Sequence, residues 1–377
     1  MSVVGKKIIL AICYDFDKTL SPDDMQSQGF IQALGYDVQE FWKESNELAE
    51  MNGMDSNLAY MYMMSVKSKG KVPFTRRTLM NAGKGIGFFP GVLSWFDRIN
   101  AYGRMHDVEV QHFIISSGLK EMVEGSAIGD KFRKIYASSF YYNSDGVAVW
   151  PSQVVNYTGK TQFLFRIEKG ALDVNDRNVN EPLNEEYYEV PFRNMVYIGD
   201  SDTDIPCMKL VNSKGGHSIG VFDPKTQDKS KVYKMLEDER IRYYVPADYR
   251  EGSALDLLVK DIIVRTEANE KLEALHNVCI HEMQDNECSK NEEEREKEML
   301  INLLEDSNSF RTTHEVVRRM AKYKEWSNEQ KGKLIHIALT NHQVTYILED
   351  GDLRRFYLGI SDGCEGDEVR KLRNWIE

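Results

Sequence analysis

The sequence predicts an α/β chain built on a doubly wound parallel sheet, with a helical insertion after the first strand and an all-helical C-terminal extension. Three observations carry this. The runs Ile8 to Tyr14, Val108 to Ile115, Met195 to Ile198 and Ser218 to Phe222 are apolar on both faces and end in polar residues, as strands covered by helices on both sides do. Each run is followed by a segment of helical spacing, and repeated strand–loop–helix units build a three-layer sandwich. From Thr266 onward helical segments follow one another without a proline.

Taken in order, residues 1–20 supply the first strand, and 89–265 return to the same core. Residues 21–88 read as an inserted helical cap. Ser21-Pro22-Asp23-Asp24 predicts its first helix, with Ser at the cap, Pro in the first turn and a carboxylate three residues on. Leu58 to Met64 is a Met/Tyr stripe that reads as packing. Gly83, Gly85 and Gly87 follow no strand and lack dinucleotide spacing, so they read as a hinge back to the core. Gly170 to Asn194 is a polar excursion broken by Pro182 and Pro191. The last core helix is expected over Gly252 to Val264, and residues 266–377 form the helical extension. There Thr312-Thr313-His314-Glu315 and Ser327-Asn328-Glu329-Gln330 are capping-box patterns, and the Glu292 to Glu298 charge run reads as a solvated face or linker.

A chain of 377 residues holds two to three domains at about 150 residues each. Its 60 acidic against 48 basic residues leave a net charge of −12, which repels a phosphate backbone and argues against nucleic acid as the main partner. The five cysteines, Cys13, Cys207, Cys279, Cys288 and Cys364, do not form a disulfide framework. Cys13 and Cys207 read as small core residues. The short apolar run behind Lys6-Lys7 lacks a cleavage site, and no stretch approaches the roughly 18 apolar residues of a membrane span. A cytoplasmic, membrane-free protein is expected. His276, Cys279, His281 and Cys288 fit no ordinary zinc module. On one helix the two histidines stand about 140° apart.

The chemistry sits at the strand ends, where ligands bind in such sheets. In Asp15-Phe16-Asp17-Lys18-Thr19-Leu20, alternation puts the two carboxylates on one side of an extended chain with Phe16 turned away. One such group can act as nucleophile or metal ligand and the other as proton donor and acceptor. Gly199-Asp200-Ser201-Asp202-Thr203-Asp204 brings further carboxylates after a second strand. Set against Asp15 they repel one another without a cation, and an oxygen-only donor set suits Mg²⁺. Ser116-Ser117-Gly118, where the next helix is expected to begin, offers a hydroxyl and free backbone N–H groups to an anion. Lys160, in Tyr157-Thr158-Gly159-Lys160-Thr161, taken singly reads as a solvated surface charge.

Together these four elements resemble the haloacid dehalogenase superfamily over roughly residues 6 to 265: Asp15 and Asp17 match its first motif, Ser116 the second, Lys160 the third, and Asp200 with Asp204 the fourth. The helical cap and Ser116-Ser117-Gly118-Leu119 look most like the phosphoserine phosphatase branch. The resemblance implies a Rossmann-like core and a Mg²⁺-dependent phosphatase of small phosphorylated metabolites. Asp15 is then the nucleophile that becomes an aspartyl-phosphate, and Asp17 the general acid and base. Asp15, the Asp17 carbonyl and Asp200 are implied to hold the metal, with Asp204 acting directly or through water. Ser116, Ser117, Gly118 and Lys160 are implied to bind the phosphoryl group. Phosphoserine phosphatases usually carry Glu where Asp24 stands; Asp24 is equally explained as a helix cap, and Arg76 and Arg77 align with no cap arginine. Two alternatives stay open: transfer of the phosphoryl group to a second substrate, as in a mutase, and a scaffold whose tail docks a protein partner or a second copy.

Overall fold

A computed structural model describes residues 7–288 and 292–376, apart from the side chains of 285–288. It divides into two compact units, Met1–Asn277 and Val278–Glu377.

In the first unit β1 (Ile8–Tyr14) leads into the insertion, whose helices are α1 (Phe30–Ala33), α2 (Val38–Asn52), α3 (Ser56–Ser68) and α4 (Arg76–Gly83). The core resumes with α5 (Val92–Met105), β2 (Val108–Leu119), α6 (Lys120–Gly125), β3 (Lys134–Tyr142), β4 (Ala148–Gln153) and α7 (Thr161–Lys169). It continues through β5 (Met195–Gly199), α8 (Ile205–Ser213), β6 (His217–Phe222), α9 (Ser230–Glu237), β7 (Tyr243–Pro246) and α10 (Ala254–Cys288), which belongs to this unit as far as Asn277. The strands form one sheet in the order β4-β3-β2-β1-β5-β6-β7. All neighbours are parallel except β3 and β4. Alternation along β1 divides the apolar residues between two cores. Leu10, Ile12 and Tyr14 join the cluster under α5 and the insertion, and Ala11 and Cys13 join Cys207 and α8 on the other face.

The insertion begins differently from its sequence. No helix starts at Ser21. Ser21 is buried and its hydroxyl donates to the Asp23 carbonyl, Asp23 Oδ1 accepts from the Asp24 N–H, and only a single 3-10 turn, Met25–Ser27, follows before α1. Local side-chain bonds of this kind compete with the helix they were read as starting. The Met/Tyr stripe packs as expected: in α3, Tyr60, Met61, Met63 and Met64 are buried. Gly83 is no hinge. It ends α4, where a Cβ would meet the Met122 carbonyl oxygen at 2.1 Å, while a Cβ on Gly125 of α6 would meet the Met80 carbonyl oxygen at 2.0 Å. The two glycines let the backbones of α4 and α6 touch, fixing the insertion to the core.

The excursion over 170–194 holds only short 3-10 turns. Instead of closing at Val264, α10 continues as one helix to Cys288: Leu255, Val259, Ile262, Ile263 and Thr266 bury one face of its first part, and no Gly or Pro stops the rest. The four residues weighed for zinc lie on α10, and the side chain of Cys288 lies outside the described residues.

The second unit is all helix among the described residues, comprising α11 (Glu292–Glu305), α12 (Phe310–Met320), α13 (Asn328–Thr340), α14 (His342–Tyr346), α15 (Gly351–Ser361) and α16 (Asp367–Ile376) around Leu300, Leu334, Tyr357 and Leu372. Ser327 and Gln330 form the expected capping box. The other expected box is displaced: Ser309, three residues earlier, caps α12 by accepting from the Thr312 N–H, and Thr312 stands inside the helix. The charge run in α11 is mostly exposed, but Lys297 is buried against Tyr323 and Trp326 and paired with Glu293 and Glu294. No helix of the described residues is long and apolar enough to cross a membrane.

Candidate active site

β1 lies between β2 and β5, with Tyr14 in register with Ile114 on one side and Ile198 on the other. Chain direction around the sheet changes here, leaving a crevice beyond the strand ends. Asp15 emerges into it, anchored by its N–H to the Ile198 carbonyl at 2.9 Å. Phe16 turns back into the core and is fully buried. The Asp17 carboxylate accepts from the Met25 N–H at 2.8 Å, so the chain closing over it is the start of the insertion.

The structure brings Asp15, Asp200 and Asp204 together: one oxygen of each lies within 4.8 Å of the others. Asp200 has Thr19 Oγ1 at 3.5 Å and Lys231 Nζ at 3.7 Å. Asp204 is fully buried and already satisfied. Its Oδ1 accepts from Lys160 Nζ at 2.7 Å and Tyr197 OH at 2.9 Å, and its Oδ2 from the N–H and hydroxyl of Ser201.

Lys160 departs furthest from its single-residue reading. It has no solvent exposure, sits where a 3-10 turn passes into α7, and stands 3.3 Å from Asp15 Oδ1 as well as beside Asp204. Burial works against its charge, but Asp15 and Asp204 outweigh it and hold the ammonium above its ordinary pKa. For the carboxylates burial and mutual repulsion act together. Burial, then Asp204, push Asp15 up to about 6 against Lys160, the Phe16 N–H and the Ser116 hydroxyl. Burial, then Asp15 and Asp204, push Asp200 up to about 7 against Lys231 and Lys18. Burial followed by Asp24 and Asp15 holds Asp17 well above the usual carboxylate range. Such crowding is what a divalent cation relieves.

Ser116, Ser117 and Gly118 do not open a helix. They lie inside β2, where the register to β3 slips between Ser116 and Leu119, and α6 starts only at Lys120. The bulge, not a helix terminus, turns these residues toward Asp15 and Asp17. Ser116 is buried and its Oγ accepts from the Gly118 N–H, the Ser117 hydroxyl has no partner among the described residues, and a Cβ on Gly118 would stand 3.1 Å from Asp17 Oδ2. Asp24 does not cap with its side chain. Its carboxylate pairs with Lys18 Nζ at 3.0 Å, beside the left-handed backbone of Lys18. Arg76 pairs with Glu124.

Four contributors went unread in the sequence. Tyr60 of α3 donates its hydroxyl to the Ser117 carbonyl at 2.8 Å, Lys18 and Lys231 flank Asp200, and Tyr197 holds Asp204. Lys18 lies inside the first motif and Tyr197 in the apolar strand before the fourth, but each reads locally as a surface charge or a core aromatic.

A model of haloacid dehalogenase-like hydrolases matches residues 12–209. The chain belongs to that family. An uncharacterised protein of Borreliella burgdorferi is 25% identical over 272 residues, 66% of this chain and 94% of the relative. Among solved structures, a haloacid dehalogenase family hydrolase of Salmonella enterica serovar Typhi shares 18% identity, covering 66% of this chain and 70% of that one with a TM-score of 0.44. A phosphoserine phosphatase captured as a phospho-aspartyl intermediate analogue shares 16%, covering 67% and 99% with a TM-score of 0.41.

Proposed function

We propose that the protein hydrolyses phosphate monoesters of small metabolites, with Asp15 as nucleophile. The observation that carries this is the pairing of Asp15 with Asp17 at the end of β1, opposite Lys160, Asp200 and Asp204. An Asp15 oxygen attacks phosphorus, the ester P–O bond breaks, and Asp17 gives its proton to the departing alkoxide. Asp17 then takes a proton from the water that attacks the aspartyl-phosphate, releasing phosphate and restoring the Asp15 carboxylate. The raised Asp17 pKa suits the first of these tasks. A proton donor at this position favours alkoxide leaving groups over halide, which needs none.

The donor set fits Mg²⁺: it is oxygen only, and Asp15 Oδ1 is buried, faced by the Lys160 ammonium at 3.3 Å but with no hydrogen bond among the described residues. Asp15, Asp200 and the Asp17 carbonyl would hold the ion, which supplies positive charge between an anionic nucleophile and an anionic phosphate. Asp204, its oxygens taken up by Lys160, Tyr197 and Ser201, positions Lys160. Ser116, Ser117 and Lys160 would meet the phosphoryl oxygens. Asp24 is neutralised by Lys18, so the reading stops at small phosphate esters and does not extend to phosphoserine.

The purified protein is expected to hydrolyse p-nitrophenyl phosphate with Mg²⁺ and to lose this with EDTA or in Asp15→Asn. A wild type inert across a panel of phosphate esters with Mg²⁺ present would sink the proposal, and product without free phosphate would favour transfer to a second substrate.

A further inference from the structure

The C-terminal unit carries a groove of about 940 Å³ between the end of α12, the turn that follows it, α13 and α15. Four cations line it: Arg318, Lys324, Lys331 and Arg355. Among the described residues none of them meets a carboxylate. Lys331 Nζ donates to the Asp362 carbonyl and Arg355 Nε to the Gly351 carbonyl, and the Arg318 and Lys324 side chains have no partner among the described residues. Elsewhere in the unit the cations are mixed: Lys297, Arg319, Lys333 and Arg370 are each paired with a glutamate or aspartate, while Arg373 donates to the Ser361 carbonyl. The two acids on the groove wall are Asp352, hydrogen-bonded to His314 at 2.9 Å, and Glu325, against four cations.

This gathering runs against the surrounding charge. After Arg265 the chain has 24 acidic and 16 basic residues, yet in the groove the ratio inverts and the cations stand unbalanced. Like charges held round one concavity raise its potential and attract an anionic partner. The floor between them is apolar, with the largely buried Trp326 and Phe356 in edge contact at 6.2 Å.

We infer that this groove binds an acidic peptide segment of a partner protein, with apolar side chains on the Trp326–Phe356 floor and carboxylates on the four cations. A single small anion suits the site poorly. Arg318, Lys324 and Arg355 are solvent-exposed and lie on separate segments, so each contact is weak and affinity comes from an extended ligand that meets several at once.

The test uses the full-length protein and a fluorescein-labelled peptide of alternating Glu and Leu, read by anisotropy. Saturable binding that weakens steeply with added salt is expected, reduced by about tenfold or more in Arg318→Glu/Lys324→Glu. Lys333→Glu, whose lysine pairs with Glu329 and does not line the groove, should bind like wild type, and phosphatase activity should be unchanged in both variants. No binding at low salt overturns the inference. Equal losses in the two variants, equal binding of a Lys/Leu peptide, or displacement by millimolar inorganic phosphate overturn it as well.

Discussion

Lys160 Nζ donates to Asp204 Oδ1 across 2.7 Å, and neither side chain meets solvent. The ammonium also faces Asp15 Oδ1 at 3.3 Å, so a single buried cation supports two carboxylates. Removing one partner of such a pair leaves charge uncompensated in a low-dielectric site, at a cost of about 3–5 kcal/mol. Lys160→Met is therefore expected to lower the unfolding free energy from urea titration by that order in EDTA-treated protein, and Lys160→Met/Asp204→Asn to recover part of the loss. A double variant no more stable than the single one would show that packing, not charge, sets the cost.

Mg²⁺ should act on stability through the same cluster. A ligand at about a hundred times its Kd stabilises by about 2.7 kcal/mol, so thermal melts should rise with Mg²⁺ in wild type. Asp200→Asn removes a donor that is not part of the Lys160 pair and should flatten that response. A melt of wild type indifferent to Mg²⁺ would count against the donor set.

Four of the seven strands and the four motifs were legible because they depend on short-range patterns: the apolar runs of β1, β2, β5 and β6 announce strands wherever they occur, although β2 runs on through Ser116 to Leu119, and β3, β4 and β7, of mixed polarity, went unread. What was not legible depended on distant partners. The helix expected at Ser21 gives way to bonds within the Ser21–Asp24 turn and to Asp17, which takes the Met25 N–H. Lys160 reads as a surface charge until β1 and α8 bring Asp15 and Asp204 beside it. α10 runs past the expected end at Val264 to Cys288 because no Gly or Pro interrupts it, although none of its described side chains after Thr266 is buried.

Gly83 offers a test of how the insertion is fixed. A methyl group there meets the Met122 carbonyl at 2.1 Å, a backbone atom that cannot swing aside. Gly83→Ala should destabilise by about 1–3 kcal/mol through overpacking, and by calorimetry its melt should fall well below that of Gly85→Ala. At Gly85 a Cβ meets nothing nearer than 3.7 Å. Equal melts for the two variants would refute the close contact between α4 and α6.

Under the same sheet a directional chain of hydrogen bonds makes an acid-sensitive element. Trp95 Nε1 can only donate, and does so to Tyr14 OH at 2.8 Å. The Tyr14 hydroxyl is then free to donate to His112 Nδ1 at 3.0 Å, and His112 Nε2–H donates to Asn100 Oδ1 at 3.0 Å. This order requires neutral imidazole, and burial pushes the His112 pKa down to about 3. A histidine depressed in the folded state contributes stability that is complete above the unfolded value of about 6.5 and is lost as pH falls toward the folded one. Between those limits the unfolded chain binds a proton that the folded chain refuses, a difference of up to about 5 kcal/mol. His112→Gln can accept from Tyr14 and donate to Asn100 without titrating. It should be less stable than wild type at pH 7.5, yet lose less of its urea midpoint between pH 7.5 and 4.5. Parallel losses in the two proteins would mean that His112 is already charged in the fold, and that the chain runs in another order.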